Sequence, residues 1–436
     1  MFSKSVKSKR QLKNIQMDYD IKQKSIFNEM KDIGAIWVMD EAVKHGFYNG
    51  NPDWANLGQG EPETGEIKGG YPRIKEFSIE PGDNRYGPLN GLLDLRKAIA
   101  EYYNRLYRKC KASKYTFDNV SIAMGGRLAL TRIFSILGSV RLGYKVPEYP
   151  AYEDMLNYHL GQIIPVCIPS KSVNNYAIHS DEFANAINKF ELDVFLFSNP
   201  CNPSGHVING EELNSYVKIA KEQNCSLIVD EVYSHFIYEN RKPAYSPVSA
   251  AEFIDDVNSD PVLIVDGLTK SFRYPGWRLA WVLGPKDVIE DLGCAASGID
   301  GGPSLPIQRA ALQLFEPKHV DLESNALREL FSRKQNIILN SLRENGIICS
   351  VDANSTFYIW ADISQLPTPL NNSNSFFKEA LKHKVIIVPG HLFDIHPGRK
   401  KKNPEFSQFV RFSFGPEEEN LKMGLQRITE LIKSFK

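Results

Sequence analysis

Lys270 stands a few residues past the compact apolar run 262–266. A lysine just beyond a buried strand loses water around its ammonium, which lowers its pKa and makes it a nucleophile. Arg278 lies eight residues further on, after Pro275-Gly276-Trp277. A Pro-Gly turn can fold its planar charged fork back beside the lysine. Taken alone, the pair reads as readily as a surface lysine and a salt-bridged arginine. Ser198-Asn199-Pro200-Cys201-Asn202-Pro203-Ser204-Gly205 doubles an Asn-Pro step directly after the apolar run 194–198. The two prolines force a fixed, non-helical turn. Its place is the C-terminal edge of a sheet, where α/β proteins bind ligands, although a plain rigid turn would look similar. Asp230-Glu231-Val232-Tyr233 closes the run 226–230; its carboxylate suits either a ligand or a helix cap.

The elements that must position these residues follow from apolar periodicity. A helix is predicted over about 26–45, then a loop-rich stretch to 90, then an amphipathic helix over 92–107. Strands at 120–124, 162–168, 194–198, 226–230 and 262–266 alternate with helices at 128–137, 182–189 and 211–223. Such alternation implies a parallel sheet with helices on both faces. The run 278–283 follows Lys270 too closely for a crossover helix, so it should be antiparallel. A long helix over 325–342, short strands at 356–361, 385–388 and 409–412, and a last helix over 421–435 suggest a smaller α+β domain.

The 436 residues carry 52 Lys+Arg and 52 Asp+Glu, so no broad basic field for nucleic acid exists. No apolar run approaches the ~20 residues of a membrane span. The six cysteines are scattered without a CxxC pair, which argues against a disulfide framework or zinc site and for a reducing, cytoplasmic setting. The basic start, with no apolar core of a secretory signal, reads as a solvated arm over 1–25.

In their order and approximate spacing, Asn-Pro-x-Asn-Pro-x-Gly, Asp-x-x-Tyr, and Lys with Arg eight later resemble the class I/II aminotransferases of pyridoxal-5′-phosphate (PLP) fold type I. The likeness extends to Asn56-Leu57-Gly58-Gln59-Gly60-Glu61-Pro62, to Tyr86 with Gly91, Leu95 and Arg96, and to Arg411 in Phe409-Val410-Arg411-Phe412. It covers roughly residues 25–435 and looks nearest to the aspartate/tyrosine-aminotransferase-like members. It implies a mostly parallel seven-stranded sheet in a large PLP domain over 75–310, and a small α+β domain from 26–74 plus 311–436. It implies that Lys270 binds PLP as a Schiff base, that Asp230 pairs with the pyridine nitrogen, and that Asn202 and Tyr233 bond the ring's 3′-oxygen. Tyr149, with Tyr152 as the other candidate, would stack on the ring. Gly126 and Arg127 at a helix start, with Arg278, would hold the phosphate. Tyr86 would reach the phosphate of a neighbouring subunit, so a homodimer with shared sites is expected. Arg411, helped by the Gly60 backbone, would bind the substrate carboxylate.

The implied reaction moves the amino group of an L-amino acid to a 2-oxo acid. Elimination or cyclisation of a functionalised amino acid on the same scaffold is the first alternative, and a non-catalytic PLP-binding regulator the second. One departure is Gly267, where many relatives carry a serine that meets the phosphate. Specificity rests on 297–308, which lacks the arginine of aspartate-selective relatives and offers Asp300. Facing the substrate, Asp300 would repel a dicarboxylate; beside Gly301-Gly302 it is also a natural solvated turn residue, the reading preferred here. The polar stretch 391–407, with Arg399 and three lysines, reads as a solvated loop or a lid.

Overall fold

The computed structural model describes residues 34–172, 176–238, 247–349, 354–399 and 403–436. The expected arm over 1–25 and the start of the first helix lie outside them; the helix is described as Ala35–Lys44.

Seven strands form one sheet: β1 (Val120–Ala123), β2 (Val140–Lys145), β3 (Ile163–Ile168), β4 (Val194–Ser198), β5 (Ser226–Asp230), β6 (Val262–Gly267) and β7 (Ala280–Leu283). They lie side by side as β1-β7-β6-β5-β4-β2-β3. All pairings are parallel except those of β7, antiparallel to both β1 and β6. The apolar run Val-Phe-Leu-Phe of β4 and the Val-Leu-Ile-Val of β6 are buried along their lengths, as a sheet covered by helices on both faces requires. One face packs Phe195, Phe197, Val229 and Trp281 against Leu95, Phe183 and Tyr216. The other packs Leu196, Ile228 and Val265 against Leu130, Phe134 and Leu292. Strand β2 (Val-Arg-Leu-Gly-Tyr-Lys) was not among the expected strands. Its charged and glycine positions break the apolar run, yet its four C-terminal residues are buried.

A second sheet contains β8 (Ile348–Cys349), β9 (Tyr358–Asp362), β10 (Val388–Pro389) and β11 (Phe409–Ser413), ordered β10-β11-β9-β8 and antiparallel throughout. The single strand expected over 385–388 is split. Val385–Ile386 pairs in parallel with Ala55–Asn56, while β10 turns to β11. This sheet shares a core with the helices Ala35–Lys44, Ser373–Lys382 and Glu418–Lys433. The 28-residue helix Pro317–Glu344 puts Val320 in the first core and Leu327 and Phe331 in the second.

The consequence for the site is one of register. Ser198 lies opposite Asp230, and Asp230 opposite Val265. The C-terminal ends of β4, β5 and β6 therefore open side by side, and the loops that leave them carry Asn202, Tyr233 and Lys270.

Candidate active site

Lys270 sits in the tight loop between β6 and β7. Leu268 N–H donates to Leu279 C=O, and Tyr274 N–H donates back to Leu268 C=O. The half-buried Lys270 ammonium donates to the Gly60 carbonyl and lies within electrostatic reach of Glu61, Arg411, Arg278 and Asp230. Loss of water pushes its pKa down to about 8, and the positive charges of Arg411 and Arg278 act in the same direction.

Asp230 ends β5 with its side chain buried. The Tyr152 hydroxyl donates to its Oδ2 at 3.0 Å, and Val232 N–H to Oδ1 at 3.4 Å. Burial pushes its carboxyl up to about 6, against the opposing effects of Tyr152 and the Lys270 charge. A carboxylate held this way gains from a cationic partner.

Arg411 lies on β11 between Trp360 and Val388 and is buried. Its guanidinium donates to the Asn202 amide oxygen at 3.0 Å and to the Gly58 carbonyl at 2.9 Å, while its buried Nε has no partner. It covers the Tyr358 ring at 4.1 Å, and the Tyr358 and Tyr233 hydroxyls meet at 3.0 Å. Tyr358 was not foreseen from the sequence. The signal was Phe357-Tyr358 beginning a strand, because β9 then pairs directly with the Arg411 strand.

The helix Gly126–Ile136 begins at the C-terminal end of β1, capped by Gly125 at φ +94°. A Cβ on Gly125 would sit 2.2 Å from Arg278 Nη2. The arginine fork thus lies over the helix start, whose free N–H groups favour an anion. Arg127 Nε donates to the Tyr149 hydroxyl at 3.2 Å, and the Tyr149 and Tyr152 rings meet edge-on at 5.4 Å. The two tyrosines are therefore separated in use: Tyr152 points its hydroxyl at Asp230, and Tyr149 reaches Arg127.

Gly267 has a packing reason. A Cβ there would stand 2.8 Å from the Leu279 carbonyl and 2.9 Å from Ala280 Cβ on β7, so the hydroxyl residue of many relatives has no room. Two expectations change, for Asp300 and for the 391–407 stretch. Asp300 is not a solvated turn residue. Arg132 clasps its carboxylate at 2.7 and 2.6 Å, and the two side chains are 1% and 6% exposed. That pairing also removes it as a free charge for repelling substrate. Tyr86 does not join the others within this chain and is 98% exposed. The 391–407 stretch is not simply a solvated loop. Phe393 and Ile395 are buried, and His396 and Gly398 N–H groups are tied to Glu153 and Asn157; Lys400, Lys401 and Lys402 lie outside the described residues. Among the described residues no metal-binding cluster occurs, none of the six cysteines is in a disulfide, and no helix is long and apolar enough to cross a membrane.

A family model described as aminotransferase class I and II matches residues 52–428. The aspartate aminotransferase of Sulfurisphaera tokodaii is 26% identical over 86% of this chain and 89% of its own. A probable aspartate/prephenate aminotransferase of Thermus aquaticus is 26% identical over 87% and 92%. Among solved structures, an aminotransferase from Mycobacterium tuberculosis superposes with a TM-score of 0.75 at 23% identity, covering 94% of this chain and 100% of that one. Thermus thermophilus aspartate aminotransferase with maleate gives 0.74 at 21% identity, over 99% and 100%.

Proposed function

The chain belongs to the class I and II aminotransferases, with their fold type I architecture, and from that premise we propose that Lys270 is the residue through which it moves an amino group from an L-amino acid to a 2-oxo acid. The observation that carries this reading is the Lys270 amine, bonded to the Gly60 carbonyl within electrostatic reach of the buried Asp230 and the buried Arg411.

The residues present fit PLP. Asp230 is a buried carboxylate in want of a cation, and the Gly125–Gly126 helix start under Arg278 is an anion cradle that a Cβ would fill. In this reading Lys270 would hold PLP, Asp230 would pair with its pyridine nitrogen, Asn202 and Tyr233 would bond its 3′-oxygen, and Tyr149 would pack on the ring. Gly126, Arg127 and Arg278 hold the phosphate, with Tyr86 added from a second copy of the chain in a homodimer. When bound, PLP supplies an electron sink for negative charge at the substrate α-carbon. Arg411 and the Gly60 backbone orient the substrate by its carboxylate, using the guanidinium Nε that is unpartnered. Asn202, whose oxygen is taken by Arg411, offers its NH2 end as a donor. Once the substrate amine has displaced it from the cofactor, Lys270 Nζ would be the base that takes the proton from the substrate α-carbon. Six cysteines outside any disulfide fit a cytoplasmic setting.

The family match favours transfer over elimination, cyclisation or a non-catalytic regulatory role. Because Arg132 occupies Asp300, that charge gives no ground for excluding a dicarboxylate, and aspartate joins the donors to test although 297–308 holds no arginine. The test is a donor panel with and without a 2-oxo acid. Formation of a new amino acid that requires the oxo acid supports the proposal; ammonia or a cyclised product without one refutes it.

A further inference from the structure

Among the buried ion pairs without a role so far, one touches the segments that carry Tyr149 and Asn202. Lys145 ends β2, and Glu148 follows three residues later; their side chains are 4% and 0% exposed, with Nζ and Oε2 3.6 Å apart. Lys145 Nζ also donates to the Pro147 carbonyl at 3.3 Å and lies 3.2 Å from the Cys201 sulfur. The Glu148 carboxylate accepts from Tyr149 N–H at 3.0 Å, from Ser198 N–H at 3.4 Å, and from the Ser198 hydroxyl. Ser198 Oγ in turn accepts the Asn202 N–H at 3.2 Å.

Burying a carboxylate is costly unless it is paired and fully hydrogen-bonded. Here its hydrogen-bond donors belong to two segments. One carries Tyr149, and the other is the end of β4 that leads into Asn202. A pair needed only to pin β2 to β4 would have no reason to reach the backbone of both.

We propose that Glu148, with Lys145 as its counter-ion, is a positioning residue that sets Tyr149 against the ring face and Asn202 against the ring's 3′-oxygen. The proposal rests on the PLP reading above. A donor to the 3′-oxygen favours the form in which that oxygen is anionic. The pH at which the bound cofactor's absorption band changes therefore reports where Asn202 stands, and a purely structural ion pair would not move it.

The experiment compares wild type, Glu148→Gln, Asn202→Ala and the double variant, each titrated with PLP and then across pH. Gln keeps the shape and one acceptor. Should it fail to fold, Lys145→Met combined with Glu148→Gln replaces the pair by neutral groups of similar size, and is read instead. We expect PLP affinity to fall about tenfold, as for outer partners that orient a ligand's direct contacts, and the spectral midpoint to rise by roughly 0.5–1 pH unit. In the Asn202→Ala background the Glu148 change should add little further shift. A midpoint unchanged from wild type, with only thermal stability lost, overturns the positioning role while leaving the PLP reading intact. Absence of a cofactor band in wild type, seen before any variant is compared, overturns both.

Discussion

At the residue scale, the chemistry depends on a lysine that can shed its proton near neutrality. In the cofactor-free protein, modification of Lys270 by an amine-directed reagent should follow a titration at about 8 rather than 10.5. The linkage has a definite sign. Between those values the unfolded chain holds a proton on Lys270 that the folded chain has lost. The cofactor-free protein should therefore gain stability from this group as pH rises through that window. Denaturant unfolding of Lys270→Met, with this contribution removed, is the control. Arg411 is the second such residue. Arg411→Lys keeps the charge but loses the fork, so KM for the amino donor should rise ~10–100-fold, the worth of a charged hydrogen bond. Steady-state kinetics would show an unchanged KM if Arg411 does not meet the substrate. Lys270, Asp230, Asn202 and Tyr233 stood out in the sequence as motifs at strand ends, and the family resemblance rather than the turn chemistry supplied their expected roles. Tyr358 and Glu148 were not. Their importance lies in contacts made across the chain, Tyr358 to Arg411 and Glu148 to Ser198, which no local pattern announces.

At the element scale, the helix Gly126–Ile136 has work at both ends. Its start lies beneath Arg278, and its buried Arg132 joins the Ile122 carbonyl at 2.7 Å to Asp300. Asp300→Ala would leave a buried guanidinium without its carboxylate, at a cost of about 3–5 kcal/mol. Chemical denaturation should show that loss, while the ranking of amino donors stays as in wild type. A changed donor ranking with little loss of stability would instead place Asp300 in the substrate site. Sequence periodicity located β4 and β5 to the residue because their apolar runs are unbroken. It passed over β2, where Arg141, Gly143 and Lys145 interrupt the run. Lys145 is buried there only because Glu148 accompanies it, a compensation that hydropathy cannot register. The antiparallel direction of β7 was readable for a different reason: the loop after Lys270 is too short for anything else.

At the scale of the whole molecule, one residue proposed for the phosphate site has no partner there within a single chain. Tyr86 is 98% exposed, and Phe77, Ile79 and Leu93 nearby in sequence are exposed as well. Under the homodimer proposed above, sedimentation should give twice the chain mass. Tyr86→Phe should weaken PLP binding by the worth of one hydrogen bond to an anion, roughly 1.5–3 kcal/mol, without changing Lys270 reactivity in the cofactor-free protein. A monomer that binds PLP with wild-type affinity after the substitution would contradict shared sites. The change in element pattern near residue 311 pointed to the second sheet and its core, although Ala311, Leu314, Phe315 and Val320 pack in the first. The helix Pro317–Glu344 that serves both cores was seen only in part, since its first turn carries Pro317 and few apolar residues.

The central claim is that Lys270 anchors PLP and that an amino donor leaves its nitrogen on the cofactor. The most direct measurement is the absorption spectrum of the PLP-loaded protein before and after aspartate and other L-amino acids, with no oxo acid present, beside Lys270→Ala. The account predicts a cofactor band in wild type that moves to shorter wavelength with a true donor, returns when a 2-oxo acid is added, and is altered from the outset in Lys270→Ala. A wild-type protein that shows no such band after PLP is supplied, or a Lys270→Ala protein whose band and response match wild type, would contradict it.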